Sequence, residues 1–166
     1  MPLIKEGVLA EDNWQSLADE DNLVDGPIVV SLERWQEERE SLLARNTPLG
    51  LRLRSDQSPA LVVDDLERFS VVALEFPKFA DGRAYSYARL LRDRYGFKGE
   101  VRAVGHVFRD QFLLMQRCGF DAFEVADPAA VEAWEQAVSE ISVTYQPGAD
   151  ARRPALALRR SRPAVA

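Results

Sequence analysis

The chain has one cysteine, Cys118, and one histidine, His106. A lone cysteine rules out an intrachain disulfide, and it cannot supply the thiolates of an iron–sulfur cluster or a structural zinc site. A lone histidine removes a self-contained histidine metal centre, so no metal site is expected. Any Ser-His-Asp or Cys-His arrangement would have to use His106. Neither G-x-G-x-x-G nor G-x-x-x-x-G-K-[ST] occurs, so no nucleotide cofactor is identifiable. Apolar runs such as Ile28-Val29-Val30 are far too short to span a bilayer. The opening MPLIKEGVLAEDNW lacks the basic flank and apolar stretch of a secretory signal, which points to a cytoplasmic protein with no membrane partner.

What is present describes an ordinary soluble domain. The 166 residues are 46% apolar and 29% charged, enough for one domain with a real core. Lysine occurs only as Lys5, Lys78 and Lys98, so the basic residues are nearly all arginine. Net charge is −6, unevenly placed: from Pro147 onward five arginines and one aspartate give +4, leaving about −10 on the rest. So acidic a body is a poor surface for nucleic acid.

Strand and helix signals alternate. Residues 1–26 read as an N-terminal extension in which LIK and GVL could form a short hairpin. Ile28-Val29-Val30 is a short apolar strand, and Ser31 caps a helix that Asn46-Thr47-Pro48 stops. Leu49 to Arg54 alternates strictly, giving a strand with one apolar and one polar face. Ser58-Pro59 starts a helix with Val62, Leu66 and Phe69 on one side, and Val71 to Leu74 follows as a buried strand. Arg83 to Tyr95 carries a helical apolar stripe that Gly96 ends. Then come a strand at Val101–Val104, a helix at Val107–Cys118 presenting Phe108, Phe112 and Met115, and a strand at Ala122–Val125. Asp127-Pro128 opens a further helix, and Ile141–Tyr145 is a candidate last strand. Trp35, Leu51, Phe69, Leu74, Leu91, Phe112, Met115, Phe123 and Trp134 are the expected core.

One helix between successive strands is the pattern of βα units. The expectation is therefore an α/β domain at 27–146 with a mainly parallel open sheet, or an incomplete TIM-barrel-like curl, followed by a basic, flexible tail at 147–166. In such folds the loops after the strands gather at one edge beside helix N-termini, where anions are favoured. PKFADGR puts Lys78, Asp81, Gly82 and Arg83 there, and GHVFRDQ adds Arg109, giving a candidate anion site. His106 is a candidate general base with Asp110 one turn later to orient it. Each residue also has a plainer reading: Asp81 as helix cap, Gly82 as turn, Arg83 and Arg109 as solvated charges, Cys118 as buried filler. Leu90 and Leu113 fall off the core stripes of their helices and hint at an interface.

The segment FPKFADGRAYSYARLLRDRYGFKGEVRAVGHVFRDQFLLMQRCGFDAFE resembles a bacterial family of domains of unknown function. Members tend to be encoded beside assimilatory sulfite reductase and are sometimes labelled oxidoreductases. The similarity runs from about Ile28 to Tyr145. It implies a part in sulfur assimilation, as an accessory factor acting with sulfite reductase or a neighbouring enzyme, and it carries over no catalytic residues. The reductase itself this chain cannot be, because one cysteine cannot ligate the cluster that six-electron reduction requires. Two other functions fit the residues: a small enzyme acting on an oxyanion or phosphorylated metabolite at the strand-end loops, and a structural homo-oligomer.

Overall fold

A computed structural model describes residues 1–127, 130–150 and 152–160. Three short strands open the chain: β1 (Leu3–Lys5), β2 (Val8–Ala10) and β3 (Gln15–Ser16). Then β4 (Ile28–Ser31), β5 (Leu49–Leu53), β6 (Phe69–Phe76), β7 (Glu100–Gly105) and β8 (Ala122–Glu124) follow, each separated from the next by helix. The eight strands form one sheet in the order β2-β1-β8-β7-β6-β5-β4-β3. From β3 to β8 all neighbours are parallel, and the β1–β2 hairpin adds antiparallel to β8. This is the expected mainly parallel α/β domain, with residues 1–26 built into its sheet.

Because β4 to β8 lie side by side in chain order, right-handed crossovers put every connecting helix on the same face. Alternate residues confirm it. Ile28, Val30, Leu51, Leu53, Val72, Leu74, Phe76, Val101, Ala103 and Phe123 point into the helix-covered core, with Ile4 of β1. Among the described residues no connecting helix lies on the opposite face.

The sheet cannot be flat. Eight strands about 4.8 Å apart would span about 34 Å. Yet Ala10 of one edge strand and Gln15 of the other are joined by Glu11 to Trp14, whose fully extended reach is about 18 Å. The sheet therefore curls into an open half-barrel, helices on the convex side.

Helix placement follows local chemistry. Ser31 caps α1 (Leu32–Glu37), its Oγ accepting from the Arg34 amide at 3.0 Å. Arg34 is buried and donates to the carbonyls of Ala18 and Asp21, both at 2.6 Å, pinning the loop before β4. After α2 (Arg39–Leu43), Pro59–Arg68 winds as a kinked 3₁₀ helix around β-branched Val62. It still buries Val62 and Leu66 as their spacing predicts. α3 (Arg83–Arg89) widens into a π turn over Leu90–Arg94, and left-handed Gly96 closes it.

Three expectations change. α4 (Phe112–Cys118) begins later than predicted, behind a 3₁₀ turn at Arg109–Gln111, so Phe108 is extended backbone and exposed instead of core. Ile141–Tyr145 is not a strand: β1 already occupies the open side of β8, leaving no edge there to pair with. Trp134, on α5 (Ala130–Ser139), is only partly buried, its ring lying against Gly7 in the β1–β2 turn. The eight other expected core residues are buried. Pro128, expected to begin α5, lies outside the described residues. The part of the tail within them doubles back: Ala149 N donates to Arg117 O at 2.7 Å, Arg152 donates to the Val138 carbonyl at 2.7 Å, and α6 (Ala155–Arg160) follows.

Candidate functional site at the strand-end rim

The C-terminal ends of β4 to β8 open onto one rim of the half-barrel, where the loops after β6 and β7 are neighbours. Gly105 makes their close approach possible. Its φ is +91°, and a Cβ there would sit 2.6 Å from the Phe76 carbonyl oxygen, so only glycine fits. One residue on, His106 N donates to that same oxygen at 2.8 Å.

The charges gathered at this rim largely satisfy one another. Asp81 is nearly buried and accepts from Arg83 Nη2 at 2.7 Å, from Arg83 Nε at 3.0 Å and from the Arg83 amide at 3.3 Å. Arg83 also donates to Ser55 Oγ at 2.9 Å, tying the loop after β5 to the loop after β6. The Arg83 guanidinium holds the Asp81 carboxyl well below the usual carboxylate range, against the opposing effect of burial. At the start of α3 the position an external anion would take is thus filled by Asp81. Gly82 between them has φ −92°, and a Cβ there would make ordinary contact with the Tyr85 ring.

Arg109 is turned toward α5, paired with Glu140 at 2.5 Å. Asp110 lines a different depression, about 750 Å³ between α3, α4 and residues 141–148, together with Arg89, Leu113, Leu114 and Cys118. Among the described residues no hydrogen bond joins Asp110 to His106. Burial raises the Cys118 thiol above its ordinary value. Burial also pushes Tyr85, packed on Phe76 below the rim, up to about 12, too high for proton transfer near neutrality.

What the rim does present is aromatic. Phe79 and Phe108 are 59% and 46% exposed, and their rings meet edge to face at 6.1 Å. His106 stands 6.1 Å from Phe108, and Lys78 is exposed beside Phe79. The sequence reading missed this ledge because it phased Phe108 into the core stripe of α4. Phe79 did carry a signal, since it lies in PKFADGR, outside any strand or helix period.

The helix-free concave face holds a second polar constellation that the sequence reading did not single out. Arg102, 2% exposed at the middle of β7, bonds Glu100 at 2.8 Å and Asp12 at 2.9 Å, with Glu124 at 3.7 Å. Lys5 meets Glu100 at 2.8 Å, and Arg52 faces Glu75 at 3.3 Å on the neighbouring strands. The available hint was an arginine inside the apolar strand pattern V-R-A-V, where a charge must find buried partners.

Among the described residues no group of three or more acidic, cysteine or histidine side chains could hold a metal ion, and no helix is long and apolar enough to cross a membrane. No curated protein matches the chain. A family model matches residues 50–156, from within β5 into α6 and so across both rim loops; the chain belongs to the family described as bacterial protein of unknown function (DUF934).

Proposed function

We propose that this protein is a protein-binding accessory factor of assimilatory sulfite reduction, acting in the cytoplasm without a cofactor of its own and docking through the rim. The observation that carries the binding role is the exposed Phe79–Phe108 pair on adjacent loops, with Lys78 and His106 at its border. Aromatic residues set among polar neighbours are the usual anchors of protein interfaces. Of the three cations in the candidate anion site, Arg83 and Arg109 are held by Asp81 and Glu140, which leaves Lys78 alone facing solvent from that set. Support for the partner comes from the resemblance to proteins encoded beside sulfite reductase.

Affinity capture of the tagged chain from its native host should retain sulfite reductase or a neighbouring sulfur-assimilation enzyme. Phe79→Ser with Phe108→Ser should lose that partner while keeping the wild-type melting midpoint. A deletion strain should grow on cysteine and fail on sulfate, and the double variant should not restore growth. Full restoration by the double variant would remove the rim from this reading. If the captured chain instead turns over sulfite, sulfate or a phosphorylated metabolite, the enzyme reading replaces it. Self-association alone would support the homo-oligomer.

A further inference from the structure

The groove of about 750 Å³ between α3, α4 and residues 141–148 lies on the convex side, away from the Phe79–Phe108 ledge. Leu114 of α4 and Ile141, Val143 and Tyr145 after α5 line it, each at least half exposed. Leu113, off the core stripe of its helix, lines it too. Apolar side chains gathered in one open depression mark an interaction surface. The charges lining it reduce to one: Arg89 is paired with Asp93 and Arg117 with Asp150, whereas Asp110 has no ion pair among the described residues. Directly beside the groove stands α6, because Ala155 N donates at 2.8 Å to the carbonyl of Thr144, a lining residue. Leu158 turns back toward Val138 and Ile141. Leu156, two residues earlier and so on the opposite side of the helix, is exposed. One turn after Leu156, Arg159 is exposed as well, with no carboxylate partner among the described residues.

We propose that this face is an interface between two copies of the chain, in which each copy lays Leu156 of α6 into the other's groove and pairs Arg159 with the other's Asp110. Leu156 does not fill its own groove, because Ala155 N fixes the start of α6 and Leu158 holds the opposite side of the helix to the body. Charge favours a second copy as the occupant. The chain from Pro147 onward carries +4 and the rest about −10, so the tail of one copy is attracted to the body of the other. Symmetry completes the argument. Helix and groove adjoin on one face, so a two-fold axis between them makes both pairings at once and doubles the apolar surface buried. The interface uses neither Phe79 nor Phe108, so it stands or falls separately from the rim reading.

Sedimentation equilibrium of the full chain, from micromolar to millimolar, should give twice the monomer mass, with weaker association at raised salt. Leu114→Ser with Val143→Ser strips the groove, and Leu156→Ser with Arg159→Ser strips the helix. Each variant should keep the wild-type circular dichroism spectrum and dimerise about tenfold more weakly or worse. Mixed together, they regain one whole pairing, the intact α6 of the first in the intact groove of the second. The mixture should therefore associate more tightly than either variant alone. A monomeric wild type overturns the proposal, as does a dimer that tolerates both variants or a mixture no tighter than its components. Should the groove variant fail to fold, the α6 variant, altered only at exposed positions, decides: association equal to wild type overturns the interface.

Discussion

Single residues show how a charge can be chemically prominent in the sequence and still be structural. Asp81 and Arg83 stand two apart in a loop where an anion site is expected, but their mutual hydrogen bonds and the Ser55 contact spend both charges on holding two loops together. The consequence appears in pH dependence. Asp81's folded pKa lies below its unfolded value, so its contribution is present above the ordinary carboxylate range, about 3.9, and is lost as pH falls through that range toward the folded value. Wild type should therefore lose more stability between about pH 5 and 2 than Asp81→Asn, read as the shift in urea midpoint. Cys118 offers a second reading at this scale. Its thiol is raised by burial, so at pH 8 alkylation by iodoacetamide should be slower than that of a free thiol, and unfolding in urea should restore the ordinary rate.

At the scale of elements, the apolar stripes located the core even where the helix type differed from the expected α. The 3₁₀ helix over Pro59–Arg68 buries Val62 and Leu66, and the α3–π segment buries Ala84, Ala88 and Leu91. Leu91 lies at the π turn with no exposed surface. Leu91→Ala should cost about 2–5 kcal/mol through lost burial and a residual cavity, measured by denaturant unfolding. An unchanged midpoint would mean that the π turn repacks around the smaller side chain. Phasing failed at Phe108 for a definable reason. The expected helical period starts at Val107, but Gly105 at positive φ and an extended Phe108 delay the helix until after Arg109–Gln111. A five-residue delay in the start of the α-helix moved one aromatic from the core to the rim, and with it the character of the candidate site.

The whole molecule depends on its first sixteen residues more than their weak patterning suggests. β1 closes the β8 edge, placing Ile4 beside Phe123, while the link Glu11–Trp14 holds the two edges of the half-barrel together. Deleting residues 1–14 would expose Phe123, unpair β8 and leave Arg102 without Asp12. The truncated chain should lose its cooperative thermal transition and bind a hydrophobic dye, whereas an intact melt would show that β4 to β8 fold alone.

By itself, the sequence determined the α/β class, the alternation of strand and helix, most of the core and the grouping of the rim loops. These follow from short-range periodicity and from the geometry of βα units, which any sequence with those periods must obey. Only tertiary structure decided which charges are free, because ion pairs such as Arg109–Glu140 and Arg102–Asp12 join residues 31 and 90 positions apart, and local pattern carries no record of them. The curl of the sheet is likewise tertiary. It arises because four residues must bridge the edges of an eight-stranded sheet, a constraint visible only once the strand order places β2 and β3 at opposite ends.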